Sequence, residues 1–450
     1  VPWPFSLLPG LRTRDQNLGR RFAKSFFWTA VLLEAGPLKA CAGVGRWLDD
    51  VAGEQEEQYM SEVQTRRAAD PEDLENLAPI VGWAFGGGTS RALEWLRGAG
   101  AAHVRVVCRG GQLCGGLLEI PMGQWFGGQS VPTLGLAGVA IAPEARGQKL
   151  ALSLVRDTLR AARQQGLALS TLYPSSYGLY RKLGYELAGS HCRFTLQLRQ
   201  LQRRARSARV ESLGEEWQPA METTYREVAR HQNGYLDRGA YVWNRVRRPD
   251  QEPARAFGVQ GAEGLDGYLF ARLGAARRAP LELSLSDFVA RTPRAMTALL
   301  AFLTAHVTTA ERATWSGASA DARLFALSEN AIQCNIEDYW MLRLVDVRAA
   351  LLARGYPGLD AAVELHVQDD LLPENAGRYP LSVRGGQASL DERITAPVAR
   401  LSVGALAALY SGFASPWQLA MAGQLEADEA ARGALARTFA GPAPGLGDYF

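Results

Sequence analysis

The stretch "VAIAPEARGQKLAL", Val139 to Leu152, reads as an apolar strand, a sharp Pro-Glu-Ala-Arg-Gly turn and a helix that opens with Leu150 and Ala151. That order is the layout of an anion site. A helix N-terminus leaves its first backbone N–H groups without intrahelical partners and carries a partial positive charge, so a phosphate can be held there by the backbone. The usual third residue of such a turn is a second glycine, and here it is Lys149. Lysine keeps the backbone N–H and adds an ammonium suited to phosphate. Its risk is conformational, since a non-glycine residue in the left-handed region costs about 1–2 kcal/mol.

Around this motif lies an ordinary globular composition, 47% hydrophobic and 21% charged over 450 residues, long enough for about three domains. A net charge of +3 is too small to argue for a nucleic-acid partner, which needs a concentrated basic face. The one basic run, "RRARSAR" at Arg203–Arg209, reads as a solvated linker. Five cysteines (Cys41, Cys108, Cys114, Cys192, Cys334) are scattered, without a CxxC pair, and the five histidines form no HExxH. This pattern predicts a reducing, cytoplasmic setting and no metal.

Near the start, "RRFAKSFFWTAVLLEAGPLKAC" at Arg20–Cys41 resembles a short export segment, but Glu34 and Lys39 interrupt it. Its apolar stretch Phe26–Leu33 is well short of the roughly twenty residues of a membrane span. Residues 1–61 therefore read as an N-terminal extension, and no stable membrane insertion is expected.

From Glu62 the text becomes regular. "EVQTRRA" is a strand, and "DPEDLENLAPIVGWAF" a helix capped by Asp70 with Pro71 at its first position. The strands "AHVRVVCR" and "QLCGGLLEIPM" turn about Gly110–Gly111, then come the opening motif and a strand "LALSTLYP". Residues 62–202 thus form an α/β domain with a mixed sheet. The same grammar recurs over 208–346: "LDGYLF" echoes "LCGGLL", and "LELSLSDFVARTPRAMTALLAFL" repeats strand, turn and helix without the Arg-Gly pair. Residues 347–450 hold "AVELHVQDD", "YPLSVRGGQASLD", "PVARLSV" and helices around Ala405–Tyr410, Trp417–Ala422 and Asp428–Phe439, a small α+β domain.

"VAIAPEARGQKLALSL" followed by "LYRKLGYE" at Leu179–Glu186 resembles the GNAT acetyltransferase superfamily. The duplicated domain, the phrase "WMLRLVDV", a sterol carrier protein-like tail and terminal Phe450 resemble, more narrowly, the enhanced-intracellular-survival (Eis) type. The resemblance implies a catalytic GNAT domain at 62–202, a degenerate GNAT-like domain at 208–346 and a sterol carrier protein-like domain at 347–450. It implies acetyl-CoA as co-substrate, held by Val139, Ala140 and Ile141 along the strand, by Arg146, Gly147, Gln148, Lys149, Leu150, Ala151 and Leu152 at the turn, and by Ser175 and Ser176. It also implies Tyr180 as the acid that protonates the departing thiolate, and the Phe450 carboxylate as the base for the substrate amine.

Tyrosine suits the first role, because a reference pKa of about 10 keeps it protonated at neutral pH. Tyr185 reads as core. Trp83, Phe85, Trp125 and Phe126 offer either an aromatic wall for a cationic amine or ordinary packing. The acceptor class stays open among aminoglycosides, polyamines and protein lysines, and the resemblance carries a homo-oligomer, a hexamer. Two alternatives stand beside the enzyme: a lipid or acyl carrier, from the tail domain, and a non-catalytic CoA-binding regulator, from Lys149.

Overall fold

Asp70 begins the first helix, Pro71–Phe85, by accepting the N–H of Asp73 at 3.1 Å, with Pro71 where a missing N–H costs nothing. The computed structural model describes residues 63–200, 208–274, 281–327 and 331–450. The N-terminal extension and most of the basic run at 203–209 lie outside the described residues.

The first acetyltransferase-like segment supplies β1 (Val63–Arg67), β2 (Val104–Arg109), β3 (Gln112–Phe126), β4 (Gln129–Ile141), β5 (Leu169–Leu172) and β6 (Glu186–Gln197). From β1 to β4 the pairing is antiparallel, whereas β5 runs parallel to β4. The helix Leu150–Gln164 connects these two and covers one face of the sheet, burying Leu150, Leu154, Val155, Leu159 and Ala162 at helical spacing. A helix at Thr89–Ala99, absent from the sequence reading, packs against the first one.

The second segment supplies β7 (Glu211–Leu213), β8 (Leu236–Asp237), β9 (Arg255–Gly261), β10 (Gly264–Leu273), β11 (Leu281–Ala290), β12 (Ala310–Gly317) and β13 (Ile332–Leu344). Its β9–β10 hairpin, parallel β11–β12 pair and intervening helix Pro293–Thr304 repeat the plan of the first segment. The repeat does not stay within its own half, however. β13 lies between β5 and β6, antiparallel to both, and the far part of β6 pairs with β12. Thirteen strands of the described residues therefore form one sheet, in the order β1-β2-β3-β4-β5-β13-β6-β12-β11-β10-β9-β7, with β8 on β3.

The third segment carries β14 (Ala361–Gln368), β15 (Gly377–Arg384), β16 (Gln387–Leu390), β17 (Val398–Ser402) and β18 (Leu425–Ala427), in the order β16-β15-β14-β17-β18. Its helix Val403–Ser411, capped by Ser402, is buried at every residue and lies against β6 and β13. Apolar residues all round a helix demand such two-sided burial.

One ion pair ties this segment to the large sheet. Arg343 of β13 donates to both oxygens of Asp369, at 2.8 and 2.6 Å, and both side chains are sealed from water. Asp369 also accepts the Asn375 amide and the N–H groups of Leu371 and Leu372. The Arg343 guanidinium lies under Gly184, where a Cβ would come within 2.8 Å of its central carbon, and Gly184 has φ +78°. Both facts require glycine in "YRKLGY". Asp369→Asn, which leaves this arginine charged and unpaired, is expected to lower stability by about 3–5 kcal/mol, read as a fall in the urea midpoint; an unchanged midpoint would show that the pair holds nothing.

Candidate active site

β4 and β5 hydrogen-bond only from Thr133–Leu136 against Leu169–Leu172, after which β4 runs on to Ile141 with no β5 beside it. A bulge sharpens this divergence: Leu118 faces Ala137 and Gly116 faces Ala140, so Gly138 and Val139 together oppose Leu117. Gly138 has φ +61° and carries the Trp95 indole where a Cβ would be, 2.5 Å from its nearest carbon. Val139, Ala140 and Ile141 thus present a strand edge that β5 leaves unused.

The turn that follows has Gly147 at φ +80° and Lys149 at φ +56°, ψ +9°. Lys149 therefore takes the left-handed conformation that a glycine would adopt more easily. Among the described residues no side chain caps the helix at Lys149, which leaves the N–H groups of its first turn without a cap. In the second segment the equivalent helix is closed by Thr292, whose hydroxyl accepts the N–H of Ala295 at 3.1 Å. Only the first segment retains both an open helix terminus and an Arg-Gly turn. Arg146 lies exposed there and donates to the Ile141 carbonyl at 3.3 Å, while the Gln148 amide donates to Glu144.

Tyr180 sits on the short helix Tyr177–Arg181 and packs in one cluster with Leu134, Leu136, Ala142 and Leu150. Burial pushes its hydroxyl pKa up to about 12, against a hydrogen bond to Ser175 that lowers it. Ser176 stands at the N-cap position of that helix. Tyr185 is fully buried and engages Ser170 at 2.7 Å, which fixes the β5 end of the site.

The chain's last residues come to the opposite face of β4. Gly445 forms a parallel bridge with Ser190, and Leu446 donates to the Ser190 carbonyl. Asp448 is buried and takes two bonds from Arg238, at 2.8 and 3.0 Å. Arg238 also grips Asp287 at 2.5 and 3.2 Å and lies 3.6 Å over the Tyr225 ring. Burial opposes the charge on Arg238, but the two carboxylates outweigh it and lift the pKa well above its usual value. Tyr173, directly after β5, donates to the Asp448 carbonyl at 2.8 Å. Phe450 then rests on Gly135 of β4 and lies 5.6 Å from the Tyr173 ring. Because side chains alternate along a strand, Leu134 and Leu136 face Tyr180 while Gly135 faces Phe450.

On that second face is a cleft of about 750 Å³, bordered by Ala137, Gly138, Trp95, Tyr241, Phe85 and Phe450. The aromatic wall differs from the expected one. Phe126 has no exposed surface and packs on Tyr410, 5.1 Å between centroids, so it cannot touch a substrate. Trp125 belongs to the buried cluster of the second segment. Trp83 is 73% exposed and stands outside the cleft, because it lies two helical positions from Val81 and Phe85, which do line it. Trp95 and Tyr241 take that place, joined by a 2.9 Å hydrogen bond. The sequence carried a signal for one side of this wall, since Tyr241, Arg245 and Arg248 are spaced along one helical face.

A β4–β5 divergence, a hydrogen-bonding strand edge and an uncapped helix terminus define an acyl-CoA-dependent transferase fold. The comparisons with known proteins agree. Residues 65–188 and 234–344 each match an acetyltransferase (GNAT) domain, and residues 347–447 match a sterol carrier protein domain. A GCN5-related N-acetyltransferase from Anabaena variabilis is 33% identical, with 86% of this chain and 100% of that one covered and a TM-score of 0.82. An uncharacterized N-acetyltransferase of Streptomyces avermitilis is 26% identical over 319 residues, 66% of this chain and 76% of that protein. Eis1 from Mycobacterium abscessus, 22% identical, shares the fold over 86% of this chain and 100% of its own, with a TM-score of 0.70. The chain belongs to the GCN5-related N-acetyltransferases, in the Eis-type arrangement of two acetyltransferase domains followed by a sterol carrier protein domain. Among the described residues no helix is long and apolar enough to cross a membrane.

Arg238→Met strips the cation from two buried carboxylates and is expected to cost about 3–5 kcal/mol. The released tail should show faster amide hydrogen exchange over residues 445–450; exchange as slow as in the unaltered protein would place the tail's anchorage elsewhere.

Proposed function

We propose that the protein transfers the acetyl group of acetyl-CoA to a primary amine by direct attack, the two substrates meeting through the gap between β4 and β5. One observation carries this reading: the first segment combines the unused β4 edge, the uncapped helix at Leu150 and Tyr180 on one face of the strand, with an aromatic cleft on the other. Acetyl-CoA supplies the activated thioester. Arg146–Leu152 receive its pyrophosphate through backbone N–H groups, with Lys149 adding charge, and Val139–Ile141 bind its pantetheine arm as an added strand would be bound. Ser175 and Ser176 flank the arm's exit.

The amine nitrogen attacks the carbonyl carbon and the carbon–sulfur bond breaks. Backbone N–H groups at the bulge stabilise the negative charge on oxygen, Tyr180 gives its hydroxyl proton to sulfur, and the proton that the nitrogen sheds on forming the amide restores the phenol. Its raised pKa keeps Tyr180 protonated, so the acid is in its working form across the neutral and mildly alkaline range. With Phe450 as the terminal residue, its carboxylate holds the ammonium and takes its proton. An α-carboxylate of reference pKa about 3.5 is a poor base in water, and desolvation in the cleft strengthens it. The sterol carrier protein domain acts here as scaffold, since its buried helix Val403–Ser411 is spent on packing against β6 and β13.

Tyr180→Phe is expected to retain acetyl-CoA binding by calorimetry and lose about 10²–10⁴ in kcat; full activity would make Tyr180 a packing residue. Deleting Phe450, or appending residues beyond it, is expected to lower turnover at least about tenfold, equivalent to about 1.4 kcal/mol, with the unfolding midpoint preserved. A C-terminally extended enzyme as fast as the unaltered one would remove Phe450 from the mechanism.

A further inference from the structure

The charges around the cleft are unevenly matched. Arg91 pairs with Asp250 at 3.7 Å, and Asp250 is also reached by Arg272 at 3.6 Å. Arg193 pairs with Glu282 at 3.0 Å, and Asp448 shares Arg238 with Asp287. Glu94 lines the cleft beside the Gln251 side chain, without an ion pair among the described residues. Two arginines of the lining stand apart from this pattern. Arg245 donates its Nε to the Tyr449 carbonyl at 3.1 Å and lies 6.0 Å over the Tyr241 ring. Arg248 donates to the Gln251 carbonyl at 3.2 Å. Neither has a carboxylate within ion-pair distance among the described residues, and both line the cleft with Phe450.

Their place near the end of the helix Ala240–Arg247 has a simple local cause, because cations are favoured at a helix C-terminus. That cause does not choose a face. Arg247, on the same turn, lies outside the cleft lining and donates to the Trp243 carbonyl, whereas Arg245 and the exposed Arg248 both border the cleft. Glu94 and the Phe450 carboxylate can each take one ammonium group, whereas a polycationic acceptor would set further ammonium groups against two guanidiniums that have no paired carboxylate. An acceptor with one amine and one anionic group would satisfy both ends.

We infer that the acceptor is a primary amine bearing an anionic group, a carboxylate or phosphate, which Arg245 and Arg248 bind while the amine reaches the β4–β5 gap. This rests on the acetyltransferase reading above and assigns its substrate class. Guanidinium forks fit either oxyanion bidentately, and like-charge contact rejects the alternative. Arg245 and Arg248 are on this account specificity-determining residues.

The test measures kcat/KM by thiol release for amines of matched chain length: δ-aminovalerate, aminobutyl phosphate, pentylamine and cadaverine. The two anion-ended amines should exceed pentylamine, and pentylamine cadaverine, with at least about tenfold between the extremes; their mutual order separates carboxylate from phosphate. In Arg245→Gln/Arg248→Gln this spread should collapse to about threefold or less, with acetyl-CoA affinity unchanged by calorimetry. Arg248→Gln alone, which leaves the bond to Tyr449 intact, should narrow it partway. The inference is overturned if cadaverine or an aminoglycoside is preferred, if the spread persists in the double variant, or if a protein that binds acetyl-CoA turns over none of the four amines. Failure to bind or consume acetyl-CoA with any amine would instead bring down the acetyltransferase reading on which it rests.

Discussion

The backbone ladder that β13 makes with β5 on one side and β6 on the other is the interaction on which the rest of the structure depends. It inserts a strand of the second acetyltransferase domain into the sheet of the first and so fixes where β5 ends relative to β4. Three further contacts start from the same strand. Arg343 supports the turn at Gly184 that carries Tyr180 and Tyr185. Asp338 accepts the Tyr449 hydroxyl at 2.5 Å. Trp340 fills the space beside Gly189 and Gly234, under the path of the tail. The reacting face, the third domain and the last residues are thus referenced to one rigid element.

The second domain's role follows from what it keeps and what it has lost. Its helix after β11 is capped by its own Thr292, and its turn lacks an Arg-Gly pair, so the open helix terminus of the first domain has no counterpart in it. What it supplies instead is grip. Arg238, Asp287, Tyr225 and Tyr268 form a buried cluster around Asp448, and Arg245 and Asn233 bond the tail's backbone. One copy thus keeps the open helix terminus, and the other supplies the tail anchor and one side of the cleft.

Much of this was legible in the sequence where the determinants are local. The cap at Asp70, the glycine turn between β2 and β3, the β10 echo of β3 and the order of elements in the tail domain each depend on a few neighbouring residues, and the expected elements are present. The α/β class with two repeated mixed-sheet units and a trailing α+β unit follows from those elements alone. The cleft wall was not legible in the same way. Trp95 and Tyr241 meet across a long sequence separation, and nothing near either residue signals the other. Phe126 looks like a surface aromatic beside a Gly-Gly turn, yet Tyr410 of the third domain covers it. The exchange of β13 was hidden for a related reason: "CNIEDYWMLRL" is not among the strands read from the sequence, and the hydrogen-bonding partners of a backbone leave no mark on the residues that make them.

The exchanged strand also sets a timetable. Until Leu344 has been synthesised, β5 and the near part of β6 have no neighbour on their facing edges, and two open edges of apolar strand invite pairing with another chain. At roughly 5–20 residues per second, residues 198–344 take many seconds to appear. Throughout that interval β5 and β6 lack the strand that lies between them in the finished fold. A fragment that stops at the end of β6 would lack the strand that pairs with both edges, so the first acetyltransferase domain draws part of its own sheet from the second.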